Sequence, residues 1–162
     1  MITCTFENGN VASPGLRHIT VGVILVKDNQ VILGLRGSLK GKLMLESGKW
    51  ALLGGFFDRN ESLFEAAKRE VMEESGWEIK NLMLFRINDR PDRPHEDRQN
   101  VDIIFTAEAV KQTGRFDEEV RELKWFPLDK LPPPDQIAFD HGQDLELYKN
   151  YLQKGGQVPI IG

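Results

Sequence analysis

The segment from Gly55 to Trp77, Gly-Phe-Phe-Asp-Arg-Asn-Glu-Ser-Leu-Phe-Glu-Ala-Ala-Lys-Arg-Glu-Val-Met-Glu-Glu-Ser-Gly-Trp, constrains the fold more than any other part of the chain. It reads as a glycine loop, a charged helix and a glycine stop. Ser62 can cap the helix, Glu65 three residues on completes a capping box, and Gly76 can close it in a left-handed conformation. On a helical wheel Glu70, Glu73 and Glu74 fall within one arc, because they are spaced i, i+3 and i+4. That arc lies on the shoulder of the apolar face formed by Leu63, Ala66, Ala67 and Val71. A run of acids is most often a solvated face, but a solvated face sits opposite the apolar stripe. Like charges at this spacing repel by roughly 0.2–0.5 kcal/mol per pair, and more when partly buried. Arg69 alone cannot balance three carboxylates. A hard divalent cation can, and magnesium takes oxygen ligands while keeping water positions open for a phosphate group.

Composition narrows the classes further. A chain of 162 residues with ordinary globular composition predicts one domain. The net charge of -4 argues against a nucleic-acid partner held by a basic surface. It leaves a phosphorylated substrate open, since a bound cation reverses the local potential. The lone Cys4 excludes an internal disulfide and a cysteine zinc site, and suits a reducing cytoplasm. Neither an apolar run near membrane-spanning length nor a signal-peptide pattern is visible, so no membrane partner is expected.

The segment 55–77 resembles the Nudix box: glycine, five residues, glutamate, seven residues, then Arg-Glu-aliphatic-x-Glu-Glu-x-Gly-hydrophobic. The matching residues are Gly55, Glu61, Arg69, Glu70, Val71, Glu73, Glu74, Gly76 and Trp77. From average residue usage, a chance match at one start position is below roughly 10⁻⁷. Trp77 replaces the usual aliphatic residue, and Leu53 stands where a proline commonly precedes Gly54 and Gly55. Neither departure removes a ligand.

Residues 1–16 hold two turn signals and read as an N-terminal arm. Ile19 to Val26 is β-branched and nearly all apolar, a strand buried on both faces. Asp28-Asn29 turns the chain into a second strand from Gln30 to Leu35, with Arg36 at its end. Residues 37–49 read as a loop. Gly37, Gly41 and Lys42 there do not make a Walker site, because the spacing is one short and Leu43 replaces the metal-binding hydroxyl. A short strand, Trp50 to Leu53, leads to the paired glycines, which let backbone come close to the charged helix or to substrate. Trp77 to Ile87 is a strand. The polar loop from Asn88 to Asn100 is long for a strand connection, and such loops are often functional. Pro94 and the lack of a second histidine exclude a zinc helix at His95-Glu96. Val101 to Val110 and Val120 to Phe126 are further strands. After a proline-rich connector, Asp135 to Leu152 reads as a terminal helix, and Lys154 to Gly162 as a loose tail.

The order of strands and helices predicts an α+β arrangement with a mixed sheet. The Nudix resemblance, over about residues 17–152, implies an α/β/α sandwich with the box as loop-helix-loop, and a tail over residues 153–162. It also implies an activity: hydrolysis of a nucleoside diphosphate linked to another group. Glu70, Glu73 and Glu74, with the backbone of Gly54, would hold Mg²⁺, or Mn²⁺ in its place. Glu119 matches a catalytic acid that several family members carry before the last strand, with Glu118 next to it. Arg69 and Glu61 would pair behind the metal ligands. Arg36, Arg90, Arg93 or Arg98 would grip a diphosphate, and His141 would touch the nucleotide. The arginine loop and the Phe139-Asp140-His141 run are similar to ADP-ribose and nucleotide-sugar pyrophosphatases, which are often homodimers. The alternatives are a MutT-like nucleoside triphosphate pyrophosphohydrolase and a non-catalytic nucleotide-sugar sensor. The complete box disfavours the sensor.

Overall fold

The computed structural model describes residues 17–93 and 100–162, so the expected N-terminal arm and Arg98 lie outside the described residues. Strand β1 (Ile19–Lys27) runs through the middle of the sheet. Its side chains alternate, as a strand's must: Val21, Val23 and Leu25 enter one core and Ile24 the other. That is why the run is apolar almost without interruption.

Then come β2 (Gln30–Arg36), a small hairpin of β3 (Ser38–Leu39) and β4 (Lys42–Leu43), β5 (Trp50–Ala51) and β6 (Leu53–Phe56). Helix α1 (Leu63–Ser75) follows, then β7 (Trp77–Asn88), β8 (Val101–Gln112), β9 (Val120–Pro127), α2 (His141–Lys154) and β10 (Ile160–Ile161). The main sheet has the order β10-β7-β8-β1-β2-β5 and is mixed. Strands β1 and β8 are parallel from Ile19 opposite Val101 to Val26 opposite Glu108, whereas β7 and β8 are antiparallel. On its other edge β1 changes partner. Thr20 to Val23 pair with β6, and Val26 and Lys27 pair with β2. β9 completes the β2 side.

Helix α1 covers one face of the sheet with Ala66, Ala67 and Val71, and α2 covers the other with Leu145 and Tyr148. This is the expected α/β/α sandwich. The start and stop of α1 follow its sequence signals. Ser62 Oγ accepts the Glu65 N–H at 3.3 Å, the Glu65 carboxylate accepts the Ser62 N–H at 2.7 Å, and Gly76 closes the helix at φ 69°.

Three segments differ from the sequence expectation. The loop 37–49 contains the β3–β4 hairpin, turned by Lys40 and Gly41 in the left-handed region. The last helix begins at His141 rather than Asp135, because Pro134–Gln136 forms a 3₁₀ turn and Ile137 bridges to Trp50. The tail is not loose. Ile160 and Ile161 pair in parallel with Arg86 and Ile87, covering an edge of β7 that would otherwise be bare. Among the described residues no helix is long and apolar enough to cross a membrane.

Candidate active site

Helix α1 presents its acids to β6. Glu74, only 6 % exposed, accepts the Gly54 N–H at 2.7 Å. A Cβ at Gly55 would lie 2.7 Å from both carboxylate oxygens of Glu70, so a larger residue there would have to displace that carboxylate. Sequence reasoning placed the paired glycines here, and the packing gives their reason.

Arg69 ties the back of this helix together. Its Nε and Nη2 donate to Glu61 at 3.0 and 2.7 Å, and Nη2 also donates to the Phe56 carbonyl at 3.0 Å. Its Nη1 donates to Glu70 at 2.7 Å and Glu73 at 3.1 Å. The two-pronged bond from Arg69 holds the Glu61 carboxyl down at about 2, and the same bond raises the arginine.

Other acids are not neutralised in this way. Burial pushes the Glu70 carboxyl up to about 7 against the pull of Arg69, with Glu73 and Glu119 adding to the push. Burial lifts Glu74 well above the usual range, opposed by the Gly54 N–H and Arg36 and reinforced by Glu70 and Glu119. Burial and Asp117 lift Glu119, again against Arg36. Glu70, Glu74 and Glu119 therefore share one electrostatic neighbourhood, contributed by α1 and the loop before β9. Glu73 lies on its outer side, its side chain 50 % exposed and turned to Arg69.

Among the described residues no three His, Cys, Asp or Glu side chains are gathered tightly enough to grip one ion as they stand. The donor set nevertheless suits a hard divalent cation. Burial raises the proton affinity of all three carboxylates, the charge of Glu119 adds to the rise at Glu70 and Glu74, and Arg36 is the cation facing both Glu74 and Glu119. A divalent ion would relieve that repulsion.

The acid loop is docked at both ends. Asp117 N–H donates to the Glu73 carbonyl at 3.1 Å, and the Gly37 N–H donates to the Glu119 carbonyl at 2.8 Å. Glu118 accepts the Lys40 N–H at 3.1 Å, which joins this loop to the β3–β4 hairpin. Arg36, at the end of β2, donates through Nε to the Leu45 carbonyl at 2.8 Å.

A cavity of about 170 Å³ opens beside these groups. Its lining includes Gly54, Gly55, Arg36 and Glu119, and with them Thr20, Arg93, Asn100 and Asp102. Phe139 and His141 line it too. Arg93 is buried and committed: it donates to Asp140 at 2.8 and 2.9 Å, to Asp102 at 3.3 Å and to the Asn100 carbonyl at 3.3 Å. Arg90 meets Asp92 at 3.2 Å and Gln143 at 2.8 Å on the surface. The described part of the arginine loop thus leans on the start of α2.

Sequence reasoning passed over Thr20 and Asp102, and of the Phe139-Asp140-His141 run it gave a role to His141 alone. Asp102 left a signal, a lone acid inside the apolar strand Val101-Asp102-Ile103-Ile104, where an unpaired charge would be costly. Thr20 donates to it at 3.0 Å.

Comparisons with known proteins agree with this geometry. Residues 16–148 match the family profile of the NUDIX domain. An ADP-ribose pyrophosphatase of Methanocaldococcus jannaschii is 30% identical over 135 residues, covering 83% of this chain and 73% of that protein. An oxidized purine nucleoside triphosphate hydrolase of Mus musculus is also 30% identical, over 119 residues, covering 70% of this chain and 68% of its own length. The crystal structure of a NUDIX hydrolase from Nitrosomonas europaea superposes with a TM-score of 0.72 at 21% identity, over 99% of this chain and 92% of that one. Members of this family generally use a divalent metal and act on nucleotide-type substrates. With its box on α1, Glu119 on the cavity wall and a family match over most of its length, this chain belongs to the Nudix family and is a pyrophosphohydrolase.

Proposed function

We propose that this enzyme hydrolyses the pyrophosphate bond of a nucleoside diphosphate linked to a sugar, with ADP-ribose the favoured substrate, giving a nucleoside monophosphate and a sugar phosphate. The observation that supports this reading is the mixed lining of the cavity, where Glu119, Arg36 and the paired glycines occur together with Arg93, Asn100, Asp102, Phe139 and His141. At about 170 Å³ it is smaller than pockets that enclose a whole ligand, roughly 300–1,000 Å³. It therefore holds one end of a substrate while the other end extends past the carboxylates.

Glu70, Glu73 and Glu74 on α1, with the Gly54 backbone, would hold Mg²⁺ or Mn²⁺. Bound there, the ion would supply charge neutralisation on the pyrophosphate oxygens and a more acidic water. Arg36 faces the phosphates from the end of β2. Glu119, whose proton affinity is raised, takes the proton of the attacking water. Arg69, braced on Glu61 and the Phe56 carbonyl, fixes the orientation of the helix.

The equal identity to the mouse triphosphate hydrolase favours a second reading, release of pyrophosphate from a nucleoside triphosphate. A magnesium-dependent panel of sugar diphosphates and triphosphates, analysed for products in ¹⁸O water, decides between them. ADP-ribose turnover to AMP and ribose phosphate is the expected result. Hydrolysis confined to triphosphates overturns the sugar reading.

A further inference from the structure

The β3–β4 hairpin cannot hold its shape by itself. Its strands are two residues each, and a lone two-stranded ribbon is marginal in water. Its turn has Lys40 at φ 50° and Gly41 at φ 73°. A two-residue turn with both φ positive favours asparagine, aspartate or glycine at its first position, and here that position is a lysine. The pairing joins Ser38 to Leu43 and Leu39 to Lys42, so the Lys40 N–H between them takes no part in it.

The restraints come from outside. At the root, the Gly37 N–H donates to the Glu119 carbonyl at 2.8 Å. A Cβ on Gly37 would lie 2.7 Å from Arg121 Cγ and 3.2 Å from the carbonyl oxygens of Glu118 and Glu119, so root and acid loop are packed face to face. At the tip, the Glu118 carboxylate accepts the Lys40 N–H at 3.1 Å. That acid loop is in turn fastened to the end of α1. Thr113 N–H donates to the Gly76 carbonyl at 2.8 Å and Asp117 N–H to the Glu73 carbonyl at 3.1 Å, while a side chain on Gly76 would run into the Gly114 carbonyl.

The far end of the hairpin reaches the cavity. Met44 and Leu45, just after β4, line it. Met44 N–H donates to the Gly37 carbonyl at 3.2 Å, and the Leu45 carbonyl accepts Arg36 Nε at 2.8 Å. One run of contacts therefore leads from α1 through the acid loop to the apolar part of the cavity lining. At the hairpin tip it depends on the side chain of Glu118.

We propose that Glu118 is a positioning residue, its carboxylate bonded to the Lys40 amide rather than to substrate or metal, and that it thereby keeps Met44 and Leu45 in the place that receives substrate. The inference rests on the reading of this cavity as the substrate site. Without the bond the hairpin still hangs from Gly37 and Arg36, but its tip moves, and only the fraction of molecules with the lining in place binds well. The loss falls on KM. Glu119 stays where it is, because its carbonyl remains bonded to Gly37 and its loop to α1, so kcat holds.

¹⁵N relaxation on the metal-free protein, and steady-state kinetics with ADP-ribose and magnesium, test this on wild type, Glu118→Ala and Glu118→Gln. Glu118 is exposed, so neither variant should move Tm. In wild type the amides of residues 39–43 should have the order parameters of rigid backbone, about 0.85. In Glu118→Ala they should drop below about 0.6 while Arg36 and Gly37 stay high. KM should rise about fivefold, the loss of one hydrogen bond, and kcat should stay within about twofold. Glu118→Gln keeps an oxygen that accepts the Lys40 N–H, so it should restore both the order parameters and KM.

A tip equally mobile in all three proteins, or an unchanged KM in Glu118→Ala, would overturn the proposal. So would a Glu118→Gln as impaired as Glu118→Ala, or a kcat that collapses in both, since either puts the carboxylate on substrate or metal. No turnover of ADP-ribose by wild type removes the sugar reading alone. The relaxation measurements then stand as they are, and KM is read on the triphosphate that the enzyme does hydrolyse.

Discussion

Two buried charge clusters flank the cavity, one built on α1 and one around the start of α2. In the second, each acid has an arginine within reach, although burial still raises Asp102 and Asp144. Arg86 meets Asp144 at 2.6 Å, Arg93 meets Asp140 at 2.8 Å and Asp102 at 3.3 Å, and Asn88 donates to Asp140 at 2.7 Å. Burial would lift Asp140, but the bonds from Arg93 and Asn88 outweigh it and hold its pKa low. On α1 the balance is left open: Glu70, Glu74 and Glu119 are all raised, and Arg69 is divided among Glu61, Glu70 and Glu73. A cluster that supplies its own counter-charges holds the fold together. One left short of positive charge is kept for something that arrives from solution.

The sharpest way to break this contrast is Arg93→Met. It strands Asp140 and Asp102 in the interior, where removing one partner of a buried pair costs about 3–5 kcal/mol. Thermal unfolding should fall by roughly 6–20 °C. An unchanged Tm would mean that the α2 cluster is not what joins the arginine loop to the helix.

Glu74→Gln tests the opposite cluster. Its amide oxygen can still accept the Gly54 N–H, so Tm should hold or rise as a buried charge is removed. Turnover should drop by well over tenfold, on the order of 100-fold, as expected when a metal-holding group is lost. Steady-state kinetics alongside unfolding separates the two effects. Full turnover would remove Glu74 from the metal site.

The third test is gentler and uses pH. Burial pushes Asp144 up to about 7, with Asp102 adding to the rise and Arg86 opposing it. An acid that binds its proton more tightly when folded stabilises most fully below its unfolded pKa of 3.8, and that contribution is lost as pH rises through about 7. The contribution falls by at most about 1.4 kcal/mol per pH unit. Urea unfolding from pH 4 to 8 should show wild type losing stability more steeply than Asp144→Asn. Parallel curves would show that Asp144 is ionised throughout and that its pair with Arg86 is complete.

The same contrast explains what was legible in the sequence. Helix α1 announces itself because everything it needs is local: Ser62, Glu65 and Gly76 mark its ends, and its acids recur at helical spacing. The α2 cluster is assembled from β7, the arginine loop, β8 and the turn before α2, with partners 47 to 58 residues apart for Asp140 and Asp144. No periodicity links such residues, and Arg93 read alone looks like a group waiting for phosphate. The start of α2 was misplaced for a similar reason. Its apolar stripe extends back through the sequence, but the bond from Ala138 to Trp50 and the left-handed Phe139 break the helix before His141. The tail escaped notice because two isoleucines become a strand only when β7 offers them an open edge.

The change of partner along β1 has a consequence for how this site can vary. Four residues of that strand zip to β6 and two to β2, so β2 and β6 must diverge like the arms of a fork. The fork opens between Val23 and Val26, and the stretch on its β6 side, Thr20, Val21 and Gly22, lines the cavity as its floor. Its depth is set by backbone register, whereas its rim is drawn from loops and from the turn entering α2. Substitutions on the rim can therefore retune what the enzyme accepts while the floor and the acids above it stay in place.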